Sequence, residues 1–466
     1  MTRFLVLAMV SLAICNPVLA QTLRPAGIPP DPEILSILKQ RVDEYRWTVG
    51  MVVGIIEPDG RRRVIAYGRP AKDSGRPLTG DTIFEIGSIT KVFTSLLLAD
   101  AVERGEVALT DPISNFLPGD LKTPELNGRS ITLVDLATHT SGLPQVFGNP
   151  NTEDADNPYI GYSVDQLYQL LSTFQLRRDI GSRFEYSNLG SGLLGHVLSQ
   201  RSGTNYEALL QQRVTGPLGL RDTQITVSAE MSTRLAVGHT AGLRPIAPWV
   251  MPTLSAAGAL RSTVNDLLTF LAAELGHSES TLATAMASML KIQRPVGDPR
   301  RTRIGLGWLV YTRNGNEIVG HAGNTSGFQS AIAFDPKARA GVVVLANSSS
   351  YHQVADITLH LLDAGYSLDR PEPVERPIDP KLFDRYIGKY ELQGDPRLML
   401  AFSREENRFF VQADGQGKLE LFAENENDFF LKVTDAQVTF NIDGDGQASS
   451  LILHQEGFDE AGRRVE

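Results

Sequence analysis

The chain has 466 residues, with 54 acidic against 44 basic side chains and a formal net charge of −10. The charge is spread along the sequence, and the single basic triplet, Arg61-Arg62-Arg63, falls in a predicted hairpin, so nucleic acid is excluded as a partner. The only cysteine, Cys15, lies within the first twenty residues, which excludes disulfides, thiolate metal sites and a cysteine nucleophile from the rest of the chain.

Residues 1–20 read as an export signal. Arg3 supplies a positive start, Phe4 to Ile14 is apolar apart from Ser11, and Val18-Leu19-Ala20 offers small residues for cleavage. The bulky Ile14 before Cys15 argues against a lipid anchor. The apolar core is too short to span a bilayer, and no later stretch approaches about 18 uninterrupted apolar residues, so stable membrane insertion is not expected. A periplasmic or secreted protein of two or more domains is expected.

Apolar residues at Ile34, Leu35, Leu38 and Val42 predict an amphipathic helix from Ile34 to Tyr45. Val49 to Ile56 and Arg63 to Tyr67 flank the turn signal Glu57-Pro-Asp-Gly60, which predicts a hairpin. A helix is predicted from Ser88 to Glu103, with an apolar face at Val92, Leu96, Leu97 and Ala101. Leu109 to Leu275 holds several helical patterns broken by Gly/Pro/Asn loops such as Gly148 to Tyr162. Strand signals return at Gly305 to Tyr311, Glu317 to His321, Gln329 to Phe334 and Gly341 to Asn347, before a helix from about Tyr351 to Ala364. Strands at both ends and helices between them imply a mixed α/β (α+β) fold: one sheet from distant segments, flanked by helices, with a helical subdomain and a cleft. This domain is expected over residues 21–366.

Asp369 to Pro380 carries four prolines in twelve residues, the composition of a stiff linker, placed at 367–380. Seven short alternating stretches follow over 381–466, beginning at Tyr386, Leu398, Phe409, Leu419, Phe429, Val438 and Leu451. Turns such as Asp414-Gly415-Gln416-Gly417 separate them. They predict an all-β module, a small barrel or sandwich, without a catalytic constellation.

Chemistry concentrates at Phe84-Glu-Ile-Gly-Ser-Ile-Thr-Lys91. Ser88 and Lys91 lie three apart on one helical face, so the lysine can activate the hydroxyl. Ser36-Ile-Leu-Lys39 and Ser288-Met-Leu-Lys291 match the same pattern, so at least two of the three matches are accidents. Only Ser88 follows an apolar run and a glycine, Gly87, that allows a sharp turn onto a helix N-terminus, where a developing negative charge is favoured. Tyr186-Ser187-Asn188 supplies a phenol, whose pKa a neighbouring ammonium can lower, and an amide for a substrate carbonyl. The alternative is a packed loop tyrosine with Asn188 capping the next helix. His321-Ala322-Gly323 ends a strand ahead of Asn324-Thr-Ser-Gly-Phe328; the glycine lets a substrate lie along the strand edge.

The order Ser-x-x-Lys, Tyr-x-Asn, His-x-Gly resembles the penicillin-recognising serine hydrolases, particularly the class C β-lactamase type, over roughly Val49 to Ala364. Leu136-Ala-Thr-His-Thr-Ser-Gly-Leu-Pro144, Pro217-Leu-Gly-Leu220 and Ala256-Ala-Gly-Ala-Leu-Arg-Ser-Thr263 are looser matches. The C-terminal module resembles the lipocalin-like extension of some relatives. The resemblance implies that Ser88 is acylated and that Lys91 and Tyr186 share the general-base work. It further implies that Asn188 contacts the substrate amide, that the N–H groups of Ser88 and Asn324 form an oxyanion hole, and that Gln145 touches the substrate side chain. No metal or other cofactor is implied.

One motif departs from the family pattern, in which the third element commonly reads Lys-Thr-Gly. A histidine with an ordinary pKa near about 6.5 has lost much of its charge at neutral pH, and Ala322 removes a hydroxyl. Strong β-lactamase activity is therefore not expected, and activity on carboxylate-bearing substrates is expected to fall as His321 loses its proton. The expected substrate is a small molecule or peptide: a β-lactam, a D-Ala peptide or an ester. The alternative is a non-catalytic protein that binds a ligand or partner in the cleft or the β module. Oligomeric state is left open.

Overall fold

The structure is a computed structural model that describes residues 27–145, 157–291, 294–350, 352–392, 399–414, 417–433, 436–444, 446–455 and 458–465. The expected export signal with Cys15, most of the Gly148 to Tyr162 loop, Tyr351 and Gly415-Gln416 lie outside these residues. Ile28–Leu362 form one unit and the chain from Asp363 onward a second.

In the first unit the strands are β1 (Gly50–Ile56), β2 (Arg62–Gly68), β3 (Arg294–Pro295), β4 (Thr302–Ile304), β5 (Leu309–Arg313), β6 (Asn316–Asn324), β7 (Gln329–Asp335) and β8 (Ala340–Ala346). They form one antiparallel sheet in the order β2-β1-β8-β7-β6-β5-β4-β3. The first and last of the long strands meet in the middle, from Met51↔Ala346 to Ile56↔Gly341. Both are buried at every position, which is why Gly-Met-Val-Val-Gly-Ile-Ile and Ala-Gly-Val-Val-Val-Leu-Ala show no polar alternation. The strand expected at Gly305 begins only at Leu309, because Gly307 turns with φ +71° and Leu306 N–H is bonded to Met289 O.

Helices α1 (Asp31–Lys39), α2 (Thr90–Glu103), α3 (Asn188–Ser202), α4 (Val264–Glu274) and α5 (Ala355–Leu362) carry most of the remaining frame. The first ends earlier than expected and continues as a π-turn over Gln40–Glu44. Helices α1, α4 and α5 pack on the sheet. The buried Arg41–Asp356 ion pair ties the first segment to α5. Helix α2 was expected to bury one face, but every residue from Thr90 to Ala101 is buried. It is a central helix, packed against α3 and the helix Ala283–Met289 on different sides.

The second unit is a closed barrel of eight strands: β9 (Gly388–Leu392), β10 (Met399–Glu405), β11 (Arg408–Ala413), β12 (Leu419–Ala423), β13 (Asp428–Phe430), β14 (Ala436–Ile442), β15 (Ala448–Gln455) and β16 (Phe458–Arg464). Closure decides between the expected barrel and sandwich. The eighth strand, β16, escaped the sequence reading because Asp459, Glu460, Arg463 and Arg464 leave little apolar alternation. It is held by pairing on both sides, to β15 and β9. The interior is filled by Phe383, Tyr386, Tyr390, Phe402, Phe409, Phe429 and Phe440 in one core. Such packing leaves the likeness to a ligand-holding lipocalin unsupported.

Glu274 ends α4 with both carboxylate oxygens buried and unpartnered among the described residues. Burial pushes its pKa up to about 8. An unfolded carboxyl titrates near about 4.3. The folded state therefore holds a proton that the unfolded state releases, and the contribution is fully present below about pH 4.3 and lost as pH rises through 8. Glu274→Gln should leave Tm nearly unchanged at pH 4 and raise it progressively up to pH 8.5. Thermal unfolding across that range checks this, and a constant offset would contradict it.

Candidate active site

The backbone before Ser88 is fixed from three sides. Phe84–Glu85 pairs with Arg261–Ser262, Ile86 N–H donates to Leu260 O at 3.0 Å, and Ser330 Oγ donates to Ile86 O at 2.8 Å. Gly87 then turns with φ +47°, and a single 3-10 turn over Gly87–Ile89 carries Ser88 into α2. Buried Glu85 braces this turn. It accepts from Arg261 at 3.2 Å and from the Trp249 N–H at 2.9 Å, and it interacts with Thr325.

Lys91, the second residue of α2 and one turn beyond Ser88, is 2% exposed. Its Nζ lies 2.9 Å from Ser88 Oγ, 2.8 Å from Asn188 Oδ1 and 2.6 Å from the carbonyl oxygen of Ala257. Burial holds its pKa well below the ordinary lysine value. As an ammonium, Lys91 donates to all three neighbours. As an amine it has two hydrogens and one lone pair. The two carbonyl oxygens can only accept, so they take both hydrogens and the lone pair is left facing the serine hydroxyl. This geometry presents a base to Ser88. The other Ser-x-x-Lys matches lack it: Ser36 and Lys39 are both exposed, and Ser288 Oγ donates to Ala285 O.

The Tyr186 loop reaches the site through His139, buried with its backbone at φ +55°. The His139 carbonyl accepts from Glu185 N–H at 2.7 Å, and its Nδ1 accepts from Ser187 N–H at 3.1 Å. Burial and Lys91 hold this imidazole neutral, as acceptance at Nδ1 requires. The Tyr186 ring lies 4.4 Å from the His139 ring and 4.8 Å from Lys91 Nζ, and its hydroxyl bonds Ser88. The phenol departs from expectation. Burial raises its pKa, outweighing the bond to Ser88.

Asn188 opens α3, and its amide is held at both ends, by Lys91 at Oδ1 and by the Tyr159 hydroxyl at 2.9 Å from Nδ2. Ser187, rather than Asn188, caps the helix, accepting from Gly190 N–H. Gln145 meets the site through its backbone, its carbonyl accepting from Asn188 N–H at 2.9 Å, while its residue is exposed.

Strand β6 forms the opposite wall. Its pairing with β5 stops at Leu309↔Gly320, so His321 to Asn324 pair only with β7 and turn their other edge to Ser88. A Cβ at Gly323 would lie 2.2 Å from Ile86 O and 2.8 Å from Ser88 N; one at Gly87 would lie 2.8 Å from Asn324 N. The N–H groups of Ser88 and Asn324 thus share one seam, while the Asn324 side chain turns to Gln353 at 3.0 Å. His321 is 7% exposed, with Nδ1 2.7 Å from Ala322 O. That carbonyl can only accept, so Nδ1 carries the proton and Nε2 is a bare acceptor. Burial, and then Lys91, push its pKa down to about 4. Its titration therefore lies well below the expected value near 6.5.

Sequence reasoning missed Tyr159, Trp249, the Ala257 carbonyl and the bracing role of His139. The last two sit in stretches that matched the family loosely, but nothing local assigns their bonds. No group of three or more His, Cys, Asp or Glu able to hold a metal occurs among the described residues, and no helix among them is long and apolar enough to cross a membrane.

The Beta-lactamase family model matches residues 38–365, and the "Domain of unknown function (DUF3471)" model matches 372–464. Among curated proteins, the D-alanyl-D-alanine-carboxypeptidase/endopeptidase AmpH of Escherichia coli (strain K12) is 29% identical over 368 residues, 74% of this chain and 93% of its own. Penicillin-binding protein 4* of Bacillus subtilis (strain 168) is 25% identical over 431 residues, 86% of this chain and 91% of its own. Among solved structures, the class C beta lactamase from Rhodobacter sphaeroides superposes with a TM-score of 0.60 at 28% identity, covering 71% of this chain and 98% of that one.

The contact of Gly323 with the nucleophile turn has a measurable consequence. A methyl group there must displace Ile86 or Ser88, and a shift of about 1 Å at a reacting group costs about 100-fold in rate. Gly323→Ala should lower any acylation at Ser88, read by mass spectrometry after exposure to p-nitrophenyl acetate, by at least that factor while circular dichroism shows a folded protein. Wild-type acylation in a folded variant would refute the packing argument.

Proposed function

The chain belongs to the beta-lactamase family, and from that premise we propose that it is an exported serine hydrolase that cleaves an amide or ester through an acyl-enzyme on Ser88. The observation that carries this reading is the three-way coordination of Lys91, whose Nζ lies 2.9 Å from Ser88 Oγ with carbonyl oxygens as its other two neighbours. Export is supported by the pattern of residues 1–20.

In this reading Ser88 Oγ attacks the substrate carbonyl carbon as its proton passes to Lys91 Nζ. The oxyanion sits against the N–H groups of Ser88 and Asn324, which share the seam beside β6. On collapse, the bond to the leaving group breaks, and that group takes a proton through the Tyr186 hydroxyl, which Lys91 replenishes. A phenol whose pKa is raised suits this relay better than it suits a phenolate base. Water then attacks the ester, again with Lys91 as base, and releases the acid and free Ser88. One hydrogen of the Asn188 amide goes to Tyr159, which leaves the other for the substrate carbonyl.

His321 bears on substrate class. As a neutral imidazole with an unprotonated Nε2 it accepts a hydrogen bond and offers no cation to a carboxylate. The site therefore favours neutral esters and amides over β-lactams and peptides that carry a carboxylate. Parallel assays of p-nitrophenyl acetate, a D-Ala-D-Ala peptide and a chromogenic cephalosporin test this, with Ser88→Ala as the control. The expected result is loss of turnover in Ser88→Ala and highest kcat/KM for the ester; full turnover by Ser88→Ala would sink the proposal.

The pH dependence follows from the same group. His321 gains charge only as pH falls towards about 4. The ratio of cephalosporin to ester kcat/KM should stay flat from pH 6 to 9 and rise only in more acidic buffer. A step in that ratio near pH 6.5 would show instead that His321 titrates as a solvent-exposed histidine.

A further inference from the structure

Tyr159 lies outside all three motifs, yet its hydroxyl is two hydrogen bonds from Lys91 Nζ. It is 3% exposed. Its ring meets that of Trp249 edge-on, at 5.1 Å and 61°. Trp249 is anchored in turn: its backbone N–H donates to Glu85 at 2.9 Å and its Nε1–H to Ser326 Oγ at 2.7 Å. Glu85 is three residues before Ser88, and Ser326 is two after Asn324. The ring of Tyr159 is thus held by the same frame that places both walls of the site. Thr253 Oγ1 also donates to Tyr162 O, at 2.5 Å, and closes this loop onto the Trp249 segment.

The geometry points to Tyr159 as a positioning residue for the reaction proposed above: its hydroxyl holds the Asn188 amide plane so that Oδ1 stays on Lys91 and the lysine lone pair stays on Ser88. An amine whose two hydrogens are both taken by fixed acceptors has one direction left for its lone pair. Ala257 O is backbone and does not move. Asn188 Oδ1 sits on a side chain whose amide rotates unless its far end is held, and Tyr159 holds it at 2.9 Å. Without the hydroxyl the amide is free to turn and a buried Nδ2–H loses its partner. The second acceptor then leaves Lys91, and the lone pair no longer points only at the serine.

Because this rests on Ser88 chemistry, the test begins with p-nitrophenyl acetate hydrolysis and its loss in Ser88→Ala. If that variant keeps full turnover, the proposed function falls and this inference falls with it. Tyr159→Phe keeps the ring against Trp249 and removes only the hydroxyl. It should lower the kcat/KM plateau about 3- to 10-fold, the usual worth of one hydrogen bond. It should also move the acidic limb of the pH profile to lower pH, because the ammonium loses an acceptor. In an Asn188→Ala background the same substitution should change kcat/KM less than about 2-fold, since the group it acts through is gone. Thermal unfolding of each variant separates these effects from misfolding. Equal losses in both backgrounds, or a loss with the acidic limb unmoved, would overturn the assignment and leave Tyr159 a packing residue.

Discussion

A lysine buried at the centre of a helical domain is the constraint on which the rest of this site depends. Placing an ammonium away from water costs on the order of several kcal/mol, which depresses its pKa and favours the amine. An amine is useful only if its lone pair is aimed. Here the aim comes from two oxygens on distant segments, Ala257 O and Asn188 Oδ1. The segment around Ala257 packs against both α2 and α3, so the base is held by the way these helices assemble.

The same economy governs the neighbours of Lys91. Burial raises the pKa of Tyr186 and keeps that phenol protonated. His139 and His321 are likewise buried, which lowers the pKa of each, and a hydrogen bond fixes which ring nitrogen carries the proton. Burial thus disfavours charge on Lys91, Tyr186, His139 and His321 alike. Charge lies further out, in the Glu85–Arg261 pair, where it braces backbone.

The two units use different means of closure. The first completes its sheet with strands from both ends of a segment of some three hundred residues, so that β1 meets β8. The second joins each strand to the next and closes first onto last, β9 to β16, around stacked aromatic rings. Its outer surface sets cations over rings, as with Lys432 above Phe422 at 3.8 Å.

Much of this was legible in the residues. The hairpin from Gly50 to Gly68, helix α2, strands β6 to β8 and seven of the eight barrel strands follow from periodicity and turn chemistry, which act over a few neighbours. So does the candidate pairing of Ser88 with Lys91, which needs only one helical turn. Strand β16 was missed because its charged residues carry no apolar signal, and only barrel closure gives it partners. Tyr159, Ala257 O and Trp249 were missed for a related reason: their roles consist of single hydrogen bonds or ring contacts across 90 residues or more in most cases, and no local pattern encodes these. The protonation states of Lys91, Tyr186 and His321 were beyond the sequence as well. By itself the sequence determined which groups are present and which lie one turn apart. The tertiary structure alone decided their burial, and burial sets the charge each one carries.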